Sequence, residues 1–230
     1  MKIVLSDQMR DIEHAVFKKG LTSEVLMRNA GNAIAAEVDS RYVLEKNTHI
    51  LSLIGPGNNG MDGLIVCSEL LKKSSHNITI ILLTDTFSDK EFFLKDLGLI
   101  RSDVKIFDIF DMADNFKEVE SELLSINVLV DAIFGIGLSR KIKDPLKSNI
   151  NKIQNSLSED VFRVAIDVPT GIDSDTGQVD PGALKVDLTL ALGYAKLAHF
   201  TQPAASFCGE VKVLDIGISD QQFKGLDLDL

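Results

Sequence analysis

A single three-layer α/β domain over residues 1–230, with a doubly wound, mostly parallel sheet and two extra N-terminal helices, is the fold class the sequence predicts. Three observations predict it. From residue 49 onward short β-rich runs alternate with longer amphipathic stretches, which within one domain means right-handed βαβ crossovers and a sheet covered on both faces. The stretches rich in Gly and Pro sit just after the β-rich runs, where doubly wound sheets carry their functional turns. The first fifty residues instead repeat their apolar positions at helical spacing. The 230 residues, 45% of them apolar, suffice to bury one such core.

In chain order, Met9, Ile12 and Val16 mark a first helix, and Val25 or Leu26, Ala30, Ala33, Ile34 and Val38 a second, with Gly20 between them. Strands are expected at 49–54, 77–83, 104–109, 127–134, 161–168, 186–192 and 210–216, with helices between the earlier ones. A capping box, Ser88-x-x-Glu91, opens a helix ahead of Phe92, Phe93 and Leu97. In the usual winding the third, second, first, fourth and fifth strands lie side by side in that order. The ligand crevice then opens beside the first, where the order reverses.

Acidic residues outnumber basic ones by 34 to 24, and the net charge of −10 removes any long-range attraction to a phosphate backbone or an anionic membrane. Neither nucleic acid nor membrane is an expected partner, and an anionic ligand has to be held locally. Apolar runs are all interrupted, 49–54 by Gly55-Pro56 and 78–83 by Thr84-Asp85, so none approaches the ~20 residues of a membrane helix. Cys67 and Cys208 are far apart and lack a CxxC or Cys/His companion, which argues against zinc or a redox pair and for two buried thiols. The opening residues contain no apolar h-region, so no signal peptide is expected and a reducing cytoplasm is the default.

Three turns carry the candidate chemistry. The first strand runs into Gly55-Pro56-Gly57-Asn58-Asn59-Gly60-Met61-Asp62-Gly63, and a helix with Leu64, Ile65, Cys67 and Leu70 follows. Gly55-x-Gly57-x-x-Gly60 reads as a Rossmann-like dinucleotide fingerprint in its strand–turn–helix setting, with Asp85 placed as a ribose-binding acid. Glycines let the backbone approach a phosphate, and the helix N-terminus offers free N–H groups. The plain alternative is a tight turn that uses glycine for its own geometry. The fourth strand ends in Asp131, followed by Gly135-Ile136-Gly137-Leu138-Ser139-Arg140-Lys141, and the fifth runs into Asp167-Val168-Pro169-Thr170-Gly171. An acid inside an apolar run is costly unless it is paired or binds something. Either aspartate could instead cap a nearby turn. On adjacent strands all three turns converge, with N–H donors at Gly135 and Gly137 and positive charge at Arg140 and Lys141. Asn59, Asp131 and Thr170 offer only oxygens, the donor set of a hard cation.

Together these turns resemble the NAD(P)H-hydrate epimerase family, the YjeF N-terminal domain, which includes an apolipoprotein A-I-binding protein. The family's marks have counterparts in Leu26-Met27-Arg28-Asn29-Ala30-Gly31, in 55–63, in 131–140, in 167–171 and in 190–196, which ends at Lys196. The chain departs from the pattern at Met61 for a glycine, Thr170 for a serine and Arg28 for an acidic residue. The resemblance implies hydrated NADH or NADPH on Asn58, Asn59, Gly60, Met61 and Asp62, on Gly135, Ile136, Gly137, Leu138, Ser139, Arg140 and Lys141, and on Asp167. It implies a potassium ion on Asn59, Asp131 and Thr170, Asp167 as catalytic acid or base, and a homodimer. It further implies functional coupling to an S-specific dehydratase, for which the chain leaves no room after its last strand, so either a stand-alone enzyme or the front half of a longer protein is expected.

The function expected on these grounds is interconversion of the R and S epimers of hydrated NADH and NADPH, a metabolite-repair isomerase reaction. An NAD(P)-dependent oxidoreductase is the second reading. It rests on the glycine fingerprint and Asp85; against it, none of His14, His49, His76 and His199 lies in a recognisable catalytic motif. A non-catalytic nucleotide-binding or scaffold module is the third, and acids at strand ends argue against it, because a pure scaffold has no need of them.

Overall fold

Side-chain alternation along buried strands sorts the core into two halves. The computed structural model describes residues 2–41, 48–73, 76–84, 90–114, 116–137 and 141–218. Helices α1 (Ser6–Lys18), α2 (Ser23–Arg41), α3 (Asn58–Lys73) and α4 (Lys90–Asp96) precede α5 (Ile109–Asp114), α6 (Phe116–Leu123) and α7 (Leu146–Ser156). The strands are β1 (Ile3–Val4), β2 (His49–Ile54), β3 (Asn77–Leu82), β4 (Val104–Asp108), β5 (Val128–Ala132), β6 (Phe162–Ile166), β7 (Leu188–Leu192), β8 (Ala195–Lys196) and β9 (Glu210–Leu214). Ile50, Ile54, Ile78, Ile80, Val128 and Val130 face one apolar cluster with Met9, Ile12, Ile34 and Leu64 of α1, α2 and α3. Leu51, Leu53, Ile81 and Leu129 face the other, with Met112, Val119, Ile150 and Ile153 of α5, α6 and α7. Period-two strands buried on both sides give the three layers.

Seven strands run in the order β4-β3-β2-β5-β6-β7-β9, and every neighbouring pair is parallel. The first five follow the predicted winding, with the reversal between β2 and β5. Five strands stop short of the apolar runs that announced them: β5 ends at Ala132 and β6 at Ile166, for example, although Ile133 and Val168 remain buried. Apolar character follows burial, whereas a strand ends with its ladder.

The expected N-terminal helices are both present, and Gly20, at φ +98°, lies in the turn after α1. Where α2 crosses α3, a Cβ on Gly31 would fall 2.3 Å from Ile65 Cγ2, so only glycine permits this approach. A two-stranded parallel ribbon, β1 with β8, was not foreseen, since two residues are too few for a readable alternation. Cys67 and Cys208 are free and buried, as expected. Among the described residues no helix is long and apolar enough to cross a membrane. Asp85 and the capping residue Ser88 lie outside the described residues.

Candidate active site

At the reversal between β2 and β5 a cavity of about 530 Å³ opens over the C-terminal ends of the strands. Its walls include Asn58, Asn59 and Asp62 from the start of α3, Gly135, Ile136 and Gly137 from the turn after β5, and Asp167 from the turn after β6. Lys196, together with Met9, Glu13 and Phe17 of α1, completes it. A larger cavity, about 850 Å³, adjoins it between α2, α3 and α4 and shares Met27, Pro56, Gly57 and Asn58. Buried titratable groups gather in the smaller one, which makes that the candidate site.

The glycine loop serves two purposes. A Cβ on Gly55 would lie 1.9 Å from the Ile133 carbonyl, and one on Gly60 2.1 Å from the Gly55 carbonyl, so these two glycines allow the loop to pack on itself and on the turn after β5. Gly57 has open space around it and leaves room for a ligand. Met61 lines only the larger cavity, so its bulk is directed away from Asp167. Leu138, Ser139 and Arg140 lie outside the described residues, and Lys141 is exposed.

Asp131 and Thr170 tie the two strand-end turns together. The Thr170 amide donates to Asp131 Oδ2 at 2.7 Å, the Thr170 hydroxyl to Oδ1 at 2.7 Å, and the Ile133 amide to Oδ1 at 3.2 Å. Thr170 Oγ1 in turn accepts from the Phe134 amide at 3.1 Å. Complete burial pushes the Asp131 carboxyl up to about 6 despite these donors. The acid inside this apolar strand is therefore paired by a turn, which was the alternative open at the sequence level.

Asp167 has a φ of +67°, the left-handed region, where aspartate is one of the few tolerated side chains. The conformation is held from several sides. Its amide donates to the Leu190 carbonyl at 2.9 Å, and its Oδ1 accepts from the Leu192 amide at 3.1 Å. Lys196, fully buried, bonds the same oxygen through its ammonium and also donates to the Leu192 carbonyl at 3.0 Å. His199 Nε2 donates to the Asp167 carbonyl at 2.9 Å while Nδ1 accepts from the Lys196 amide at 3.1 Å, which fixes the neutral tautomer. Oδ2 is left facing the cavity near Gly135 and Asn59: a Cβ on Gly135 would lie 3.4 Å from it and 3.2 Å from Asn59 Oδ1.

Two further acids face this pair. Burial, reinforced by the charges of Asp167 and Glu13, raises the Asp62 carboxyl well above the ordinary range, and burial with the charge of Asp167 raises Glu13. Sequence reasoning gave no role to Lys196, Glu13 or His199. Lys196 is a lone charge in the apolar stretch 188–198, and Glu13 shares a helical stripe with Met9 and Phe17; both were readable as charges on a buried face.

Burial lowers His199 to about 4 from its ordinary 6.5. Between those values the unfolded chain takes up a proton that the native one refuses, so the stability present above pH 6.5 is lost as pH falls, by up to about 1.4 kcal/mol per pH unit. Asp131 contributes with the opposite sign between 3.8 and about 6, where the native state keeps a proton that the unfolded chain has released. His199→Gln is expected to flatten the acid loss while leaving the Asp131 contribution in place. Urea unfolding of both proteins over this pH range measures the difference, and parallel curves would exclude the assignment.

A profile of the family described as YjeF-related protein N-terminus matches residues 23–198. The NAD(P)H-hydrate epimerase of Elusimicrobium minutum is 31% identical over 220 residues, covering 95% of this chain and 96% of the relative. The bifunctional NAD(P)H-hydrate repair enzyme Nnr of Dictyoglomus turgidum is 33% identical over 95% of this chain, which spans 41% of that longer protein. A crystal structure of the yeast protein ynu0, YNL200c, superposes with a TM-score of 0.73 at 23% identity, covering 94% of this chain and 88% of the yeast one, and it shares the fold. With its three strand-end turns converged on one cavity and the family profile matched across them, the chain belongs to the YjeF-related N-terminal family.

Proposed function

We propose that this protein interconverts the R and S epimers at C6 of hydrated NADH and NADPH. The observation that carries the reading is the end-to-end match to a relative named NAD(P)H-hydrate epimerase, on a chain whose cavity gathers Asp167, Lys196, Asp62 and Glu13. The reacting carbon bears a hydroxyl beside a ring nitrogen. Inverting it by ring opening or by loss of the hydroxyl needs a proton donor, a proton acceptor and tolerance of positive charge. Asp167 is the acceptor in this reading: Lys196 bonds its Oδ1, and its other oxygen faces the cavity. The turns at 55–63 and 135–141 hold the diphosphate and ribose portions through backbone N–H groups and Lys141, with Leu138, Ser139 and Arg140 as further substrate contacts.

A potassium ion on Asn59, Asp131 and Thr170 belongs to the same proposal. The residues fit a singly charged hard cation: among the described residues Asn59 Nδ2 is buried without a partner, so this end of its carboxamide is not committed to the protein, and the two oxygens of Asp131 accept three donors. Such an ion would supply positive charge where carboxylates and a diphosphate gather. Association as a homodimer and a cytoplasmic location complete the proposal. Coupling to a dehydratase is supported by relatives that carry both repair activities in one chain.

The test is a coupled assay. A dehydratase selective for the S form stalls when that form is consumed, and adding this protein with potassium should let the R form drain far faster than it epimerises spontaneously. No acceleration, with ligand binding established, would favour the non-catalytic module.

A further inference from the structure

Asp62 sits in α3 with 6% of its surface exposed, and its Oδ1 is enclosed without a hydrogen-bond partner. It lines the same cavity as Asp167. The charged and titratable groups around it among the described residues are these. Asp167 follows β6 and holds Lys196 of β8, His199 is bonded to the Asp167 and Lys196 backbones, and α1 contributes Glu13 and Arg10. Lys196 is committed to Asp167, so among the described residues no buried cation compensates an ionised Asp62. A carboxyl in that position, next to two other acids, favours its neutral form, in which it has a proton to give.

We propose that Asp62 is the second acid–base group of the epimerisation, carrying the proton while Asp167 carries the negative charge. The inference rests on the epimerase reading and deepens it. In the forward direction the C6–O bond breaks with its electron pair on oxygen, which takes the Asp62 proton and leaves as water. The ring nitrogen shares its lone pair with C6 to form an iminium cation. Water then adds to the opposite face, forming the new C6–O bond, and Asp167 accepts the proton it releases. One proton has moved from Asp62 to Asp167, water is the only co-reactant, and the reverse passage of the other epimer or exchange with solvent restores the starting state. A pair of carboxyls held in opposite protonation states suits a reaction whose substrate and product are mirror forms at one carbon.

Asp62→Asn keeps the shape and cannot transfer a proton. It is expected to unfold at or above the wild-type midpoint, since it removes an unpartnered buried acid, and to lower kcat by roughly 100-fold or more with little change in KM. The alkaline limb of the wild-type rate profile should disappear with it. Retention of kcat, or a rise in KM alone, overturns the proposal. A second readout is independent of turnover: infrared difference spectra of wild type against Asp62→Asn at neutral pH should contain the carbonyl stretch of a neutral carboxylic acid, and Asp62→Glu should shift that band if the asparagine variant fails to fold. A carboxylate band there instead overturns the assignment even in an active enzyme. A neutral-acid band in a protein that does not epimerise would locate the failure in the broader reading of function.

Discussion

Lys196→Met is expected to cost about 3–5 kcal/mol of unfolding free energy, the penalty for stranding one member of a buried ion pair. The Lys196 side chain is fully enclosed, and its ammonium bonds both the Asp167 carboxylate and the Leu192 carbonyl. Methionine fills the same volume but leaves Asp167 with an uncompensated charge and the Leu192 carbonyl without its donor. Asp167→Asn combined with Lys196→Met should regain much of the loss, because a neutral amide no longer needs the cation. Urea unfolding of the two single variants and the double variant measures this coupling. Additive losses, or a Lys196→Met penalty below about 1 kcal/mol, would mean that the pair does not act as a unit.

Asp167→Asn is the second large effect, and it falls on rate. Asparagine adopts φ near +67° as readily as aspartate does and keeps an Oδ1, so the amide bond to the Leu190 carbonyl and the bond accepted from the Leu192 amide survive and the change tests the cavity-facing oxygen. If Asp167 takes up the proton, kcat should fall roughly 100-fold or more with KM little changed. A rise in KM alone would assign it to substrate binding. The assay has to run well below the unfolding midpoint, since the variant leaves Lys196 facing a neutral partner.

What the sequence disclosed follows from how far each signal reaches along the chain. Strand β2 coincides with its predicted run because the apolar residues stop at Gly55, and the winding order followed from the alternation of strands and helices. The three turns could be found because a strand end is marked locally by glycine or by an acid. What they do to one another could not. Asp131 is held by hydrogen bonds from Thr170, a residue on another strand-end turn, and neither side chain announces the other. Lys196 stands out as a charge among apolar neighbours, yet its role requires the pairing that brings β8 over Asp167. Glu13 lies on a different helix again, and only the folded chain places it over the strand ends.

The wall formed by α1 comes from a different part of the chain than the strand-end turns. Met9, Glu13 and Phe17 precede the stretch 23–198 that carries the family profile, whereas the strand-end turns lie within it. That wall is fastened by the β1–β8 ribbon and by Ser6, whose amide and hydroxyl donate to the Asp175 carboxylate at 2.7 and 2.5 Å. The wall is nevertheless not independent of the floor, because Met9, Ile12 and Val16 pack in the same apolar cluster as the sheet and the charge of Glu13 acts on Asp62. A substitution at Glu13 is therefore expected to change the shape of the entrance and the proton affinity of the Asp62 carboxyl together.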